Sequence, residues 1–487
     1  MTRLASLADI TGLAARPGYD PAAHGRGIVH LGIGAFHRAH QAVMTDTAMA
    51  VAGGDWRITG VSLRSTEIAE AMGPQNGLYT LIERGADGTS ARVIASIRDV
   101  IAANPAATLA ALADPAVRIV TLTVTEKGYG IDRATHAPDP AHPAVRADLA
   151  KPEAPVGVLG LLVAALRLRR AAGAAPFTVL SCDNLPENGA LLRSGVIGFA
   201  RHVDPALADW IAAEVAFPSS MVDRITPATT QATLAEAERQ AGCTDLAAVE
   251  TEPFVQWVIE DHFPQGRPAW EAAGAIFVTD VAPYERMKLT MLNGSHSMLA
   301  YAGFLSGHRY VRDVMGDPAL SVLVARHLQA AAAVMPPLEG IDLAAYAEAL
   351  ADRFRNPAIA HETFQIAMDG TQKLPQRIFQ PALTALERGQ PLAPFAFATA
   401  AWMRYTLGQT DDGQTYALRD PREDEIRAVL ADVPREAGAI HDALAALPGL
   451  IPAALSGAPA WRAAVTGSLD PMLSQGMVAA VREEALR

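Results

Sequence analysis

Lysine is scarce in this chain: of 40 basic residues only four are lysine, and arginine supplies the rest. Cysteine is scarcer still, with Cys182 and Cys243 alone in 487 residues. Two cysteines make no disulfide framework, and they fit a reducing, cytoplasmic setting. Long apolar runs are also missing. The longest, Val156 to Leu166, is too short to span a bilayer and ends in Arg167-Leu168-Arg169-Arg170. The N-terminal segment lacks the apolar core of a signal peptide. Positive charge is in deficit, and a net charge of -12 disfavours nucleic acid and anionic membranes as partners. No internal repeat and no low-complexity linker interrupts the chain. What remains is an ordinary globular composition at a length that calls for two or three domains.

The pattern along the chain changes once. From Gly27 a short apolar run (Ile28, Val29, Leu31) leads through Gly32 and Gly34 into an Ala-rich helical stretch. Further strands are predicted at Trp56 to Leu63, Tyr79 to Glu83, Arg92 to Ile97, Arg118 to Val124 and Phe177 to Ser181. Helical segments such as Ala106 to Ala113 and Gly157 to Ala172 separate several of them. Strands alternating with helices predict a mostly parallel sheet covered on both faces. After Pro283 the patterns become helical, as at Glu285 to Leu305, Pro318 to Val334, Leu343 to Arg353 and Pro394 to Leu407. The expected class is α/β: a Rossmann-like dinucleotide-binding domain over residues 1–282, then a mostly α-helical domain over 283–487.

Gly32-Ile33-Gly34-Ala35-Phe36-His37 begins like a dinucleotide fingerprint. Glycine serves where the turn is tight and where backbone must approach a pyrophosphate. The third glycine is replaced by His37, so the match is partial, and Gly-x-Gly alone also fits a plain strand-helix turn. The second strand leads into Leu63-Arg64-Ser65-Thr66-Glu67. Glu67 is the candidate for the adenosine ribose and favours NAD, whereas Arg64 leaves NADP open. His37 and His40 lie three apart on one helix face, but no acidic or cysteine partner gives them metal-ligand spacing.

Lys288-Leu289-Thr290-Met291-Leu292-Asn293-Gly294-Ser295-His296 contains one of the four lysines. Lysine gives up its proton when burial or nearby positive charge lowers its pKa, and arginine does not. On a regular helix Lys288, Asn293 and His296 fall within an arc of about 140°. Lysine there suits a general base, and asparagine suits a donor to a forming alkoxide. Spacing alone equally fits an exposed lysine and two polar residues on a helix rim. Ser181-Cys182-Asp183-Asn184 sits at a strand's carboxyl edge, where ligands bind. Asn184 is a second candidate donor, or a turn residue. Val222-Asp223-Arg224 reads as a site segment or as a structural ion pair.

Taken in order, the segments resemble the polyol-specific long-chain dehydrogenases. The resemblance is carried by GIGAFHRAHQA (from Gly32), TVTEKGY (from Thr123), SCDNLPENG (from Ser181), FPSSMVDRITP (from Phe217), EPFVQWVIED (from Glu252), KLTMLNGSH (from Lys288) and DGTQKLPQR (from Asp369). It implies Lys288 as general base, Asn184 and Asn293 as the oxyanion pair, and His296 as a substrate-binding residue that orients the lysine. It places Asp223, Val222 and Lys373 at the polyol, and Glu126 and Glu285 along a proton route. Gly32, Gly34, Phe36 and Glu67 fall in its cofactor-binding segments. The cofactor implied is NAD rather than NADP, with no metal, and the family allows a monomer.

The branches of the family differ in substrate. Mannitol dehydrogenases of one branch carry an arginine where this chain has Gln365. Other segments look more like the branch that interconverts D-mannonate and D-fructuronate. A sugar acid calls for positive charge near its carboxylate. Between Ala358 and Glu362 only His361 could carry it, and Glu362 would repel a carboxylate if it faced the site. The expectation is therefore a neutral polyol, D-mannitol interconverted with D-fructose. D-mannonate is the alternative, and a noncatalytic NAD-binding sensor is the competing class.

Overall fold

Short runs of β-branched residues build the first half of the chain around a parallel sheet. The computed structural model describes residues 2–133, 135–358 and 360–487, apart from the Glu126 side chain. Two units divide the chain, Met1–Ala282 and Pro283–Arg487. In the first unit the strands run β1 (Arg26–Leu31), β2 (Arg57–Ser62), β3 (Tyr79–Gly85), β4 (Gly88–Ile94), β5 (Ile97–Ala102), β6 (Ile119–Leu122) and β7 (Thr178–Ser181). Five of them form one parallel sheet in the order β5-β2-β1-β6-β7, with Val29 of β1 opposite Thr59 on one side and Val120 on the other.

Alternation within these strands feeds two cores. Ile28, Ile58, Ile119 and Leu180 pack with Met44 and Met49 of the helix Gln41–Ala52. Val29, Leu31, Val120, Leu122 and Val179 pack on the opposite face with Leu159, Leu162 and Leu166 of the helix Val158–Ala171. Burial on both faces explains why the strands read as continuous apolar runs. The strand order reverses between β1 and β6. A crevice opens at the carboxyl ends of such neighbours, the usual ligand position in an open α/β sheet.

The sheet differs from expectation in two places. The predicted strand Arg92 to Ile97 breaks at Ala95-Ser96, and β4 and β5 belong to different sheets. The backbone is pulled aside there by the helix Gln41–Ala52. Ala95 N–H donates to Asp46 Oδ1 at 2.9 Å, and the Ser96 hydroxyl donates to the Ala42 carbonyl at 2.7 Å. Four further strands escape the sequence pattern: β8 (Ser220–Asp223), β9 (Val249–Thr251), β10 (Gln256–Glu260) and β11 (Ile276–Val278). They join the three-stranded sheets β4-β3-β9 and β11-β10-β8, in which β3/β4 and β8/β10 are antiparallel. Three to five residues are too few for a period to show.

The second unit is helical among its described residues. Its core helix Ala393–Tyr405 is buried from Phe395 to Tyr405 and packs on the helices Gly294–Leu305 and Pro459–Ser474. The expected continuous helix Glu285 to Leu305 has three parts: α over Ala282–Met287, π over Lys288–Asn293, and α over Gly294–Leu305. A second π segment, Pro375–Phe379, follows the helix Gly370–Leu374 and packs against the first.

Candidate active site

The crevice of the first unit is a cavity of about 1030 Å³. Gly32, Gly34, Ser62, Arg64, Glu67 and Thr123 are among its walls. Gly32 has φ +99°, and a Cβ there would fall on the Thr123 carbonyl oxygen, so only glycine serves. The turn is held from below. Thr123 Oγ1 donates to the Gly32 carbonyl at 2.8 Å, and His30 Nε2 lies 2.8 Å from Thr123 Oγ1. His30 is buried and its pKa is depressed to about 3, chiefly by burial, so it is a neutral strut. Gly34 is different: a Cβ there would meet nothing nearer than the Gly32 oxygen, at 3.8 Å. The open space before Gly34 is the cradle a pyrophosphate needs, so the residues present fit a dinucleotide.

Aromatic rings pack beside the fingerprint. Phe36 stacks on His40, with ring centroids 5.1 Å apart. The buried His37 stacks on His30 at 3.4 Å. Among the described residues no three His, Cys, Asp or Glu side chains could hold a metal ion. The strand β2 ends at Ser62, and Glu67 opens the helix Glu67–Met72 beyond it, with its N–H donating to Ser65 Oγ at 3.3 Å.

Asn184 follows β7 at the carboxyl edge of the sheet. Its neighbour Asp183 anchors that edge, a role the sequence pattern left unassigned. Asp183 accepts from Val124 N–H at 2.9 Å, Thr125 N–H at 3.2 Å and the Tyr129 hydroxyl at 2.7 Å. Burial raises its pKa, and these donors oppose the rise. The Asn188 amide donates to the Asp183 carbonyl at 3.0 Å and to the Ser220 carbonyl at 2.7 Å. It ties the turn that carries Asn184 to the start of β8. Asp223 is buried at the end of β8. Val222 packs in the core with Trp257 and Trp270. The ion pair expected between Asp223 and Arg224 is made elsewhere. Arg224 pairs with Glu83 and donates to the carbonyls of Ala39 at 2.6 Å and Glu252 at 2.9 Å. Glu126 begins the turn Glu126–Gly128, and its side chain lies outside the described residues.

In the second unit Lys288, Asn293 and His296 share one continuous helix, with Glu285 one turn before the lysine. Lys288 is only 8% exposed. Residues five apart on an α-helix point about 140° away from each other. The π segment changes this. Its i→i+5 hydrogen bonding, seen in Gly294 N–H donating to the Leu289 carbonyl, widens the turn. Lys288 and Asn293 then lie toward one face, as i and i+4 do on an α-helix. The uniform helix assumed from the sequence therefore understates how well the two side chains converge.

The second π segment holds the first in place. A Cβ at Gly294 would lie 2.8 Å from the Arg377 carbonyl oxygen, a backbone atom that cannot swing aside. Gly294→Ala is expected to destabilise the protein by about 1–3 kcal/mol, the usual cost of overpacking. The same change should lower kcat by moving Lys288 and Asn293. A thermal melt and kcat on the same preparation check this, and an unchanged Tm with full kcat would refute the packing argument.

His296 is buried against Phe354 at 4.6 Å and meets the His361 ring edge-on at 5.2 Å. Burial first, then the charges of His361, Arg353 and Arg377, hold its pKa well below the ordinary histidine value. Lys373 donates from Nζ to the Met368 carbonyl at 2.6 Å and lies 3.5 Å from Asp369 Oδ2. Its pKa is lowered by burial and by Arg377. His361, singled out in the sequence for its possible charge, thus packs beside His296, and the Arg353 charge, which no motif marked, acts on it.

The mannitol dehydrogenase Rossmann domain matches residues 26–272, and the mannitol dehydrogenase C-terminal domain matches 280–447. D-mannonate oxidoreductase of Escherichia coli is 45% identical over 426 residues, covering 86% of this chain and 87% of that protein. Mannitol 2-dehydrogenase of Phaeosphaeria nodorum is 42% identical over 418 residues, covering 84% and 74%. The structure of Pseudomonas fluorescens mannitol 2-dehydrogenase, a ternary complex with NAD and D-mannitol, superposes with a TM-score of 0.79 at 39% identity over 99% of both chains.

Proposed function

Because the chain belongs to the mannitol dehydrogenase family of oxidoreductases, we propose that it interconverts an open-chain polyhydroxy alcohol and its ketone with NAD as cofactor. The observation that carries this reading is the convergence of Lys288 and Asn293 through the π segment, with His296 one turn beyond. Bound NAD supplies the acceptor for the hydride that leaves the carbinol carbon, and Gly32, Gly34 and Glu67 would hold it. Neutral Lys288 takes the hydroxyl proton. The Asn293 and Asn184 amides donate to the oxygen as it becomes an alkoxide, where preorganised donors have their largest effect. His296, kept neutral, donates to or accepts from a substrate hydroxyl and orients the lysine. Asp223 and Lys373 are assigned to substrate hydroxyls, and Glu285 and Glu126 to the path by which the lysine's proton reaches water.

D-mannitol with D-fructose and D-mannonate with D-fructuronate share the reacting end, a carbinol beside a terminal hydroxymethyl group. They differ at the far carbon, so the machinery above serves either. The test follows NADH absorbance during incubation with each ketone. Measurable NADH binding without turnover of any ketose or keto acid would favour a sensor over an enzyme.

The proton step has a pH signature. Oxidation needs Lys288 neutral and rises with pH through its apparent pKa, whereas reduction needs it protonated and falls through the same pKa. His296, whose pKa is lowered, adds no inflection near the ordinary histidine value of about 6.5. Measuring kcat/KM against pH in both directions checks this. Parallel profiles would count against a lysine that shuttles the proton.

A further inference from the structure

Thr125 stands in a backbone conformation that belongs almost wholly to glycine, with φ +65° and ψ 159°. For a β-branched residue this is strained, and it persists only where the surroundings fix it. Burial does not offset the strain, because Thr125 is exposed. A turn selected for stability alone would carry glycine here.

The group that fixes it is Asp183. Its Oδ1 accepts from Thr125 N–H at 3.2 Å, and its Oδ2 accepts from Val124 N–H and from the Tyr129 hydroxyl. Gly128 N–H donates to the Thr125 carbonyl at 2.9 Å and closes the turn. Tyr129 is buried and shares a second hydrogen bond, of 2.7 Å, with Ser181 Oγ at the end of β7. One carboxylate thus gathers both ends of the stretch from Val124 to Tyr129.

That carboxylate lies between two parts of the proposed reaction. On one side Thr123, Val124 and Thr125 line the dinucleotide cavity, and Thr123 Oγ1 reaches the Gly32 carbonyl. On the other, Asp183 is the chain neighbour of Asn184, the donor assigned to the alkoxide. Its main chain is held by Asn188, whose amide oxygen accepts from Ser220 N–H at 3.0 Å while its nitrogen donates to the Asp183 carbonyl. The strands β6 and β7 are paired up to Leu122 opposite Ser181, so their two loops leave the sheet side by side. Beyond that pair the Asp183 side chain links them.

We infer that Asp183 is a positioning residue that keeps Thr125 in its strained conformation, so that the cavity wall after β6 and Asn184 after β7 hold one fixed spacing for hydride transfer. The inference rests on the proposed oxidoreductase function and adds the group that sets its geometry within the first unit. Asp183 acts through Thr125 and Asn184 rather than on a reactant. The competing account is that Asp183 only satisfies nearby donors and stabilises the fold. Activity well below Tm would then be untouched by its loss.

The experiment measures Tm, NADH affinity and ketone reduction in Asp183→Asn, Asp183→Asn with Thr125→Gly, and Thr125→Pro, using whichever of D-fructose and D-fructuronate the wild type reduces faster. At a temperature well below its Tm, Asp183→Asn should lose about 10- to 100-fold in kcat, the scale of a small misplacement of reacting groups, and lose less in NADH affinity. With NADH deuterated at the transferred position, its isotope effect on kcat should be at least that of the wild type, because hydride transfer is the slowed step. Adding Thr125→Gly should restore part of kcat, since glycine takes the native φ without the carboxylate. Thr125→Pro leaves Asp183 in place but forces φ to about -65°. Its position is exposed, so the fold should survive while kcat falls, and this arm holds even where Asp183→Asn fails to fold. Wild-type kcat in folded Asp183→Asn or in Thr125→Pro overturns the inference. So does an isotope effect that falls toward one, or a glycine that restores Tm but not kcat. A wild type that binds NADH and reduces neither ketone overturns the oxidoreductase reading itself.

Discussion

Lys288→Ala should lower substrate oxidation by about 10²- to 10⁴-fold, the range for removing a positioned general base. NADH affinity should remain near that of the wild type, because the residues assigned to the dinucleotide lie in the other unit. The size of the loss follows from burial. At 8% exposure, water has limited access to replace the missing amine. Small primary amines added to the variant should restore part of the rate, with an efficiency that rises as more of the amine is deprotonated. Lys288→Arg should be as inactive and should resist amine rescue, since a guanidinium fills the space but keeps its proton near neutral pH. Steady-state kinetics with and without added amine measure both effects. Near-normal turnover in either variant would remove Lys288 from the chemistry.

The second large effect is expected at Gly34. Its φ of -82° suits any residue, and a Cβ there meets nothing closer than 3.8 Å. Gly34→Val should therefore fold with a nearly unchanged Tm. Its side chain would project into the space assigned to the pyrophosphate, so NADH affinity should fall by about 100-fold, near 2.7 kcal/mol. Gly32→Val provides the contrast. Its φ of +99° and its approach to the Thr123 carbonyl make any side chain a structural fault, so Tm and cofactor binding should fall together. Fluorescence titration with NADH beside a thermal melt separates the two. Wild-type NADH affinity in Gly34→Val would mean that the dinucleotide does not cross this turn.

Local pattern carried much of the architecture. The apolar runs at Ile28 to Leu31 and Ile119 to Leu122 are strands because both sheet faces are buried, and burial on both faces is written directly into consecutive residues. Gly32 was legible because no other residue tolerates its φ. The spacing of Lys288, Asn293 and His296 marked a helix face and, with six other segments, a resemblance to the family that the comparisons also identify. Three-residue strands such as Val249–Thr251 left no such trace, and neither did the break at Ser96, whose cause is a helix some fifty positions earlier in the chain.

What the tertiary structure alone decided are choices among local states of similar energy. A seven-residue motif reads the same in α and π geometry. The packing of Pro375–Phe379 against Lys288–Asn293, with the Arg377 carbonyl pressed on Gly294, accompanies the wider turn and brings the lysine and asparagine toward one face. Asp223 and Arg224 read as a site segment or as an ion pair, and Arg224 reaches across to Glu83 instead. His361 and Glu362 are neighbours in sequence, and extended backbone dictates that they part but not which one turns inward. His361 packs against the buried His296, and Glu362 is left on the outer side, where Arg309 meets it from 53 residues away. Sequence order encodes alternation, whereas its phase is selected by which side of the segment the tertiary fold buries.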